Sequence, residues 1–318
     1  MQADTLNKRL QEIERTYRLA DFPQSVLVEV TAFCNINCVQ CANSTLKRKK
    51  GFMDMGLFRK IVDEVAERDK QTRFWFAFYG EPLIIRYKLF YMIQYAKRKG
   101  LTDTYVNTNG MLLSDEMAEM LIDSGLDHLI VGVDGYSAEV FEKIRRGAKR
   151  DVVYSNILRI RDKMAAHQVI KPRIELQFIM MDENESELED YRQYWAKEGL
   201  AVKIRNRVTW NSHVEAGSNI RPDLARVACG WTVGICPITW DGRMVACGTD
   251  CDAQHPFGNV SEQSISEIWN GNKKAFTQKH LEHKFDLLPA MCQTCMDWQV
   301  IGSVDFDEAG QRYYKEYK

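Results

Sequence analysis

No apolar run in the chain is long enough to span a bilayer, which takes about 20 consecutive apolar residues. No membrane attachment is therefore expected. Met1 to Arg18 is polar and amphipathic, without the apolar core of a secretory signal, so a cytoplasmic location is expected. Without secretion a disulfide framework is not expected either. Neither sign of charge dominates: 43 Lys and Arg stand against 44 Asp and Glu, a net charge of -1. That gives no case for nucleic acid or an anionic membrane as the main partner. One local basic run, Lys47-Arg48-Lys49-Lys50, reads as a solvated loop.

The 318 residues can bury a large core, as one big domain or two modest ones. Nine cysteines are many for a chain of this kind, and they cluster. Metal binding is the better reading of such clusters in a chain that is not secreted. The densest group is Cys34-Asn35-Ile36-Asn37-Cys38-Val39-Gln40-Cys41, spaced C-x3-C-x2-C. Before it, Ser25-Val26-Leu27-Val28-Glu29-Val30-Thr31 reads as a strand. The thiols thus sit on a loop past the carboxyl end of a first strand, where ligands gather in α/β folds. Thiolates are soft ligands that suit iron–sulfur clusters or zinc. Three with no fourth nearby leave a metal position open.

Along the chain, residues 5–20 read as one amphipathic helix. Strand and helix then alternate six times, from the first strand to Ala201-Val202-Lys203-Ile204-Arg205. Ser114 is expected to cap a helix. The alternation predicts a parallel sheet with right-handed crossovers. About 190 residues are too few for a full eight-fold barrel of ~250, so a partial (β/α)6 TIM-like barrel is expected. From residue 206 the alternation stops. Cys236 to Cys247 reads as a hairpin around Asp241-Gly242, and Cys292-Gln293-Thr294-Cys295 adds a C-x2-C pair. The expected organisation is a helix over 1–22, a barrel over 23–210 and a small cysteine-rich domain over 211–318. The tail residues Arg312-Tyr313-Tyr314-Lys315 are expected to form a helix capping the barrel mouth.

The C-x3-C-x2-C loop resembles the signature of the radical S-adenosylmethionine (radical SAM) superfamily. Tyr79-Gly80-Glu81-Pro82 resembles that family's GGE-type motif, and Asn107-Thr108-Asn109-Gly110 its TNG turn. Val133-Asp134-Gly135 followed by Ile144-Arg145-Arg146-Gly147 resembles its S-x-D-G…I-R-G-G pattern. The resemblance implies a [4Fe–4S] cluster on Cys34, Cys38 and Cys41, with S-adenosylmethionine (SAM) chelating the fourth iron. It implies SAM contacts from Phe33, Gln40, Tyr79, Gly80, Glu81, Asn107, Asn109, Asp134 and Arg145. A guanidinium suits the SAM carboxylate, and Arg145 is preferred to its neighbour Arg146. Gln40 stands where the family usually has an aromatic that meets the adenine.

The C-terminal region resembles the SPASM/twitch extensions of the same family. The matches are the C-x10-C hairpin, the Gly258-Asn259-Val260 turn, the helix at Ile265-Ser266-Glu267-Ile268-Trp269 and the late C-x2-C. No cysteine follows Cys295. The resemblance therefore implies one auxiliary [4Fe–4S] cluster on Cys236, Cys247, Cys292 and Cys295, as in the twitch group that includes the 2-deoxy-scyllo-inosamine dehydrogenases. Cys229 and Cys251 are left over. A free cysteine is usually a small buried hydrophobe, but Cys251 is also a candidate hydrogen-atom donor, or a replacement for one of the expected ligands.

The activity implied is reductive cleavage of SAM to a 5′-deoxyadenosyl radical, fed by a flavodoxin- or ferredoxin-type reductant. The radical would then take a hydrogen atom from a small-molecule substrate. Oxidation of a secondary alcohol of a carbohydrate or cyclitol is favoured, with the auxiliary cluster as electron acceptor and Arg207 or Arg205 orienting the hydroxyl. The alternatives are a carbohydrate or peptide epimerase, a ribosomal-peptide maturase, and a metal-stabilised interaction protein without enzymatic activity.

Overall fold

The computed structural model describes residues 3–300 and the backbone of 303–306 and 312–315. Six strands run parallel, each beside the next in chain order: β1 (Ser25–Val28), β2 (Arg73–Trp75), β3 (Thr104–Thr108), β4 (His128–Gly132), β5 (Arg173–Met180) and β6 (Ala201–Asn206). Parallel neighbours need crossovers. These are supplied by Met55–Arg68, Tyr87–Arg98, Asp115–Asp123, the pair Ala138–Ile144 and Arg150–Ala166, and Leu188–Lys197. This is the expected partial barrel.

The strand pattern explains which side is which. In β5, Ile174, Leu176, Phe178 and Met180 are buried, while Glu175 and Gln177 between them are half-buried. Alternate side chains point to opposite faces. The apolar set packs under the helices, leaving the polar set for the barrel interior. Ser114 caps its helix as expected, accepting from the Met117 N–H at 3.2 Å.

Both barrel edges are covered by the C-terminal half. β7 (Ile235–Ile238) pairs parallel with β1, and β8 (Arg243–Met244) and β9 (Gly258–Asn259) continue the sheet antiparallel. Asp241-Gly242 makes the expected turn, with Gly242 at φ +90° where only glycine sits easily. On the other edge, β10 (Ser303–Phe306) and β11 (Arg312–Lys315) form a hairpin against β6 through Val304 and Ile204. The tail is therefore a hairpin over its described residues and not the expected helix. The unpaired edge of β6 is a template for strand addition, and a Val- and Tyr-bearing segment suits it.

The N-terminal helix is shorter than expected, Ala3–Glu14. Its Leu6 and Leu10 belong to the same core as the barrel. Its Asn7 and Glu14 side chains accept from the N–H groups of Ala225 and Ala228, so it joins barrel and C-terminal region.

The basic run is a solvated loop only in part: Lys47 and Lys49 are exposed, but the Arg48 side chain is not. Arg48 is buried and forms a bidentate pair with the fully buried carboxylate of Glu29, at 2.8 and 2.5 Å. Its Nε donates to the carbonyl of Cys251 at 2.6 Å. Lys47 N–H reaches Asp252 Oδ1 at 2.7 Å, and the Trp240 indole donates to the Lys49 carbonyl at 3.0 Å. The run staples the cysteine loop to the C-terminal half. Removing one partner of a buried pair leaves an uncompensated charge. R48M is expected to lower the unfolding free energy in urea by about 3–5 kcal/mol, and E29L/R48M to recover most of that loss. An R48M stability within about 0.5 kcal/mol of wild type would contradict the assignment.

Candidate active site and auxiliary centre

After β1 the chain leaves the sheet at Thr31, which bridges Phe52. The cysteine loop is then fixed from three sides by backbone and amide bonds. Asn37 and Cys38 pair antiparallel with Arg146 and Arg145. Val39 N–H donates to Ile144 O at 2.9 Å. The Asn43 amide donates to the carbonyls of Ala32 and Tyr79 at 2.9 and 2.6 Å. A loop held this way presents its thiols in a set arrangement.

All three thiols are half-buried. Burial pushes Cys34 up, Cys38 up to about 12 and Cys41 up to about 11. Cys38 and Cys41 also feel the charge of Cys34, so the three share one poorly solvated pocket. Amide groups already point at the sulfurs: Asn43 N–H to Cys41 Sγ at 3.4 Å, and Asn109 Nδ2 to Cys34 Sγ at 3.8 Å. Among the described residues, no three or more His, Cys, Asp or Glu side chains converge on a point for a single metal ion. Three soft donors on one loop, with N–H groups aimed at them, fit a thiolate-held iron–sulfur cluster.

The strand ends close around this loop. Gly80 runs directly under it: a Cβ there would lie 2.0 Å from the Thr31 carbonyl oxygen. Glu81 N–H donates to Phe33 O at 2.8 Å. The buried Glu81 carboxylate accepts from Leu83 N, Thr108 Oγ1 and Asn109 N at 3.0, 2.8 and 2.7 Å. It spends its oxygens on structure, which leaves the backbone for a ligand. Asn109 also bonds Asn35, while Asn107 is half-buried on the interior side of β3. Phe33 packs tilted against Phe52, ring centres 4.9 Å apart, and both are exposed.

Asp134 is the polar centre of the opposite wall. It is fully buried and accepts from Arg145 at 2.7 Å, Ile179 N–H at 2.7 Å and the Gln40 amide. Arg145 is buried and Arg146 exposed, so Arg145 is the one turned inward. Its guanidinium lies across Gly132, where a Cβ would meet Nη2 at 2.1 Å. Arg145 Nε and Gln40 Oε1 are buried without a partner. Buried polar atoms are nearly always paired, so these orphans fit a polar ligand in this wall. The Gln40 carbonyl accepts from the Trp210 indole at 2.7 Å.

Tyr79 and Cys251 sit where the loop meets the C-terminal half. The buried Tyr79 hydroxyl donates to Gly248 O at 2.5 Å. Cys251 is 1% exposed and packs with Ala42 and Tyr79. Arg207, just past β6, is buried with its Nε unpartnered.

A second cavity lies in the C-terminal region and is lined by four thiols: Cys229, Cys247, Cys292 and Cys295. Cys292 and Cys295 both feel the Cys247 charge, and Cys295 feels Cys229. Cys229 lines this cavity, and the expected Cys236 does not. Cys236 lies on β7, is 0% exposed, and faces the barrel-side core. The charges it feels are those of Lys273 and Glu64, not of another thiol. Pairing of β7 with β1 sets Cys236 in the core shared with the barrel, and it does not line the cavity. The sequence signal for Cys229 is its place before Gly230-Trp231: Trp231 lines the cavity and packs under Gly248, beside Cys247. Arg226, His280 and Asp297 line the cavity too.

Because the Arg145 guanidinium occupies the space over Gly132, alanine there must split the buried pair with Asp134. G132A is expected to lower the thermal midpoint by about 5 °C or more. An unchanged midpoint would show that the guanidinium has room elsewhere.

Comparison with known proteins places this geometry. Residues 28–194 match the family model of the radical SAM superfamily, and residues 229–296 match that of SPASM, an iron–sulfur cluster-binding domain. The second match begins at Cys229. Among curated proteins, the chain is 23% identical to a tungsten-containing aldehyde ferredoxin oxidoreductase cofactor-modifying protein of Pyrococcus furiosus, covering 88% of each. It is also 23% identical to an S-adenosyl-L-methionine-dependent 2-deoxy-scyllo-inosamine dehydrogenase of Niallia circulans, covering 88% of this chain and 95% of that one. Among solved structures, BtrN in complex with AdoMet and 2-DOIA superposes with TM-score 0.60 at 21% identity, over 87% of this chain and 94% of that one. Streptococcus suis SuiB bound to precursor peptide SuiA superposes with TM-score 0.66 at 10% identity, over 92% and 74%. These likenesses show a shared fold. The two family matches imply SAM, the four-iron cluster that binds it, and an auxiliary iron–sulfur cluster. With the first match spanning more than half of its length, the chain belongs to the radical SAM superfamily and is a radical SAM enzyme with a C-terminal SPASM domain.

Proposed function

We propose that this enzyme oxidises a secondary alcohol of a carbohydrate or cyclitol to a ketone. The observation that carries the reading is the single cavity ringed by four thiols, Cys229, Cys247, Cys292 and Cys295. Four protein ligands close a four-iron cluster, leaving it free to exchange electrons but not to bind substrate. When bound, the first cluster with SAM would supply a 5′-deoxyadenosyl radical to take a hydrogen atom from a C–H bond, and the second, held by Cys229, Cys247, Cys292 and Cys295, would serve as acceptor for the one electron left on that carbon.

The chain's own residues hold and orient. Cys34, Cys38 and Cys41 are the ligands for the first cluster. The backbone at Tyr79, Gly80 and Glu81, the orphaned Arg145 Nε and the orphaned Gln40 Oε1 are the groups offered to SAM. Phe33, Asn107, Asn109 and Asp134 complete the surrounding wall. Arg207, buried with a free Nε, suits a substrate hydroxyl whose proton must leave as the ketone forms. A small-molecule substrate of this class is the one in the name of the Niallia circulans relative. A one-electron reductant of flavodoxin or ferredoxin type is required. Dehydrogenation is favoured over epimerisation because Cys251 is enclosed behind Tyr79 rather than open to a substrate.

The test is anaerobic incubation of the reconstituted enzyme with SAM, reductant and a panel of sugars, cyclitols and aminocyclitols. One ketone per 5′-deoxyadenosine is expected, with R207M lowering kcat/KM by ~10²-fold and R207K recovering part. An inverted alcohol carrying solvent deuterium, or turnover of a peptide alone, would overturn the proposal.

A further inference from the structure

Two side chains that line the four-thiol cavity carry nitrogens that meet nothing. His280 is 2% exposed, yet neither Nδ1 nor Nε2 has a partner. Arg226 donates through Nη1 to Gln293 O at 2.9 Å and through Nη2 to Cys292 O at 2.5 Å, leaving a buried Nε unpartnered. Neither group swings freely. The His280 ring packs edge-on against Phe276 at 5.0 Å and Phe285 at 6.3 Å, and the Arg226 guanidinium lies 4.4 Å over Phe285. Burial, with the charges of Arg226 and Lys273 nearby, holds the His280 pKa down to about 3. In either protonation state the ring carries at least one N–H.

A buried N–H without an acceptor is unfavourable, and native proteins rarely keep one. Here two of them border a cavity ringed by four thiols, the donor set of an anionic cluster whose sulfurs accept hydrogen bonds. Such bonds stabilise the more negative, reduced cluster and so raise its potential. We infer that His280 and the Nε–H of Arg226 donate hydrogen bonds to the sulfurs of the auxiliary cluster and poise it as an electron acceptor. Both act as positioning residues: they touch the cluster's sulfurs, not the substrate. Lys273 adds positive charge from behind. It is buried and donates at 2.6 Å to the carbonyl of Ala246, the residue before Cys247. The inference rests on the proposed assignment of the four thiols to the auxiliary cluster.

The test uses the full-length C34A/C38A/C41A chain, so that the auxiliary cluster is observed alone. The chain is labelled with 15N-histidine, reconstituted, reduced and examined by pulsed paramagnetic resonance and by redox titration. The expected result is a histidine 15N coupling to the reduced cluster that disappears in H280F. The reduction equilibrium should also shift at least tenfold toward the oxidised state, which is ~59 mV for one electron. H280Q, which keeps an N–H, should retain most of the potential. Absence of coupling in the labelled parent overturns the inference, as does a coupling and potential unchanged in H280F. Should H280F hold no iron, the parent spectrum decides: coupling supports the inference and its absence ends it. A parent without iron removes the four-thiol assignment and the inference with it, whereas an iron-loaded parent without coupling removes the inference alone.

Discussion

A carboxylate with no access to water sits at the end of the first barrel strand, and the molecule is arranged to satisfy it. Glu29 is neutralised by Arg48, which lies beyond the cysteine loop, and it also accepts the N–H of Trp240 from the C-terminal hairpin. A buried charge left unpaired would cost several kcal/mol. The pair therefore forces three segments together: the strand end, the return of the cysteine loop, and the hairpin leading to the auxiliary cavity. Arg48 extends the tie to the carbonyl of Cys251. With β7 paired to β1 as well, the barrel and the C-terminal hairpin share one sheet and one core, while Ala246, Phe276, Leu288, Met291 and Cys292 form a small second core at the auxiliary cavity.

The two sites differ in how they hold polar ligands. Around the cysteine loop, polar groups are mostly spent on one another, as in the Glu81 and Asp134 networks, with Arg145 Nε and Gln40 Oε1 left over. Around the auxiliary cavity the leftover atoms are nitrogens, the two of the His280 ring and Nε of Arg226. Leftover atoms of both donor and acceptor kind suit a zwitterionic ligand with several polar groups. Leftover N–H groups on His280 and Arg226 suit an anionic cluster. The contrast follows from counting hydrogen bonds, without reference to any relative.

What could be read in the sequence was local. The C-x3-C-x2-C spacing, the Asn107–Gly110 turn, the Ser114 cap and the Asp241-Gly242 hairpin each depend on a few neighbouring residues, and each folds as its sequence suggests. What could not be read depends on pairing across the chain. The hairpin brings Cys236 and Cys247 onto one motif, but side chains alternate faces along a strand. Pairing of β7 with β1 turns Cys236 into the core, and Cys229 takes its place at the cavity. Arg48 looked solvated because its partner carboxylate and the Cys251 carbonyl are far from it in sequence. The tail looked helical because nothing nearby in sequence reveals that β6 ends with an open edge.

The central claim is that one auxiliary centre is held by Cys229, Cys247, Cys292 and Cys295, with Cys236 outside it. The most direct test is an anaerobic iron and sulfide count on reconstituted C229A and C236A beside the wild type. Wild type and C236A should both hold about eight irons, as two four-iron clusters require, while C229A should fall toward four. A C236A protein that loses the auxiliary iron while C229A keeps it would contradict the assignment and the account built on it.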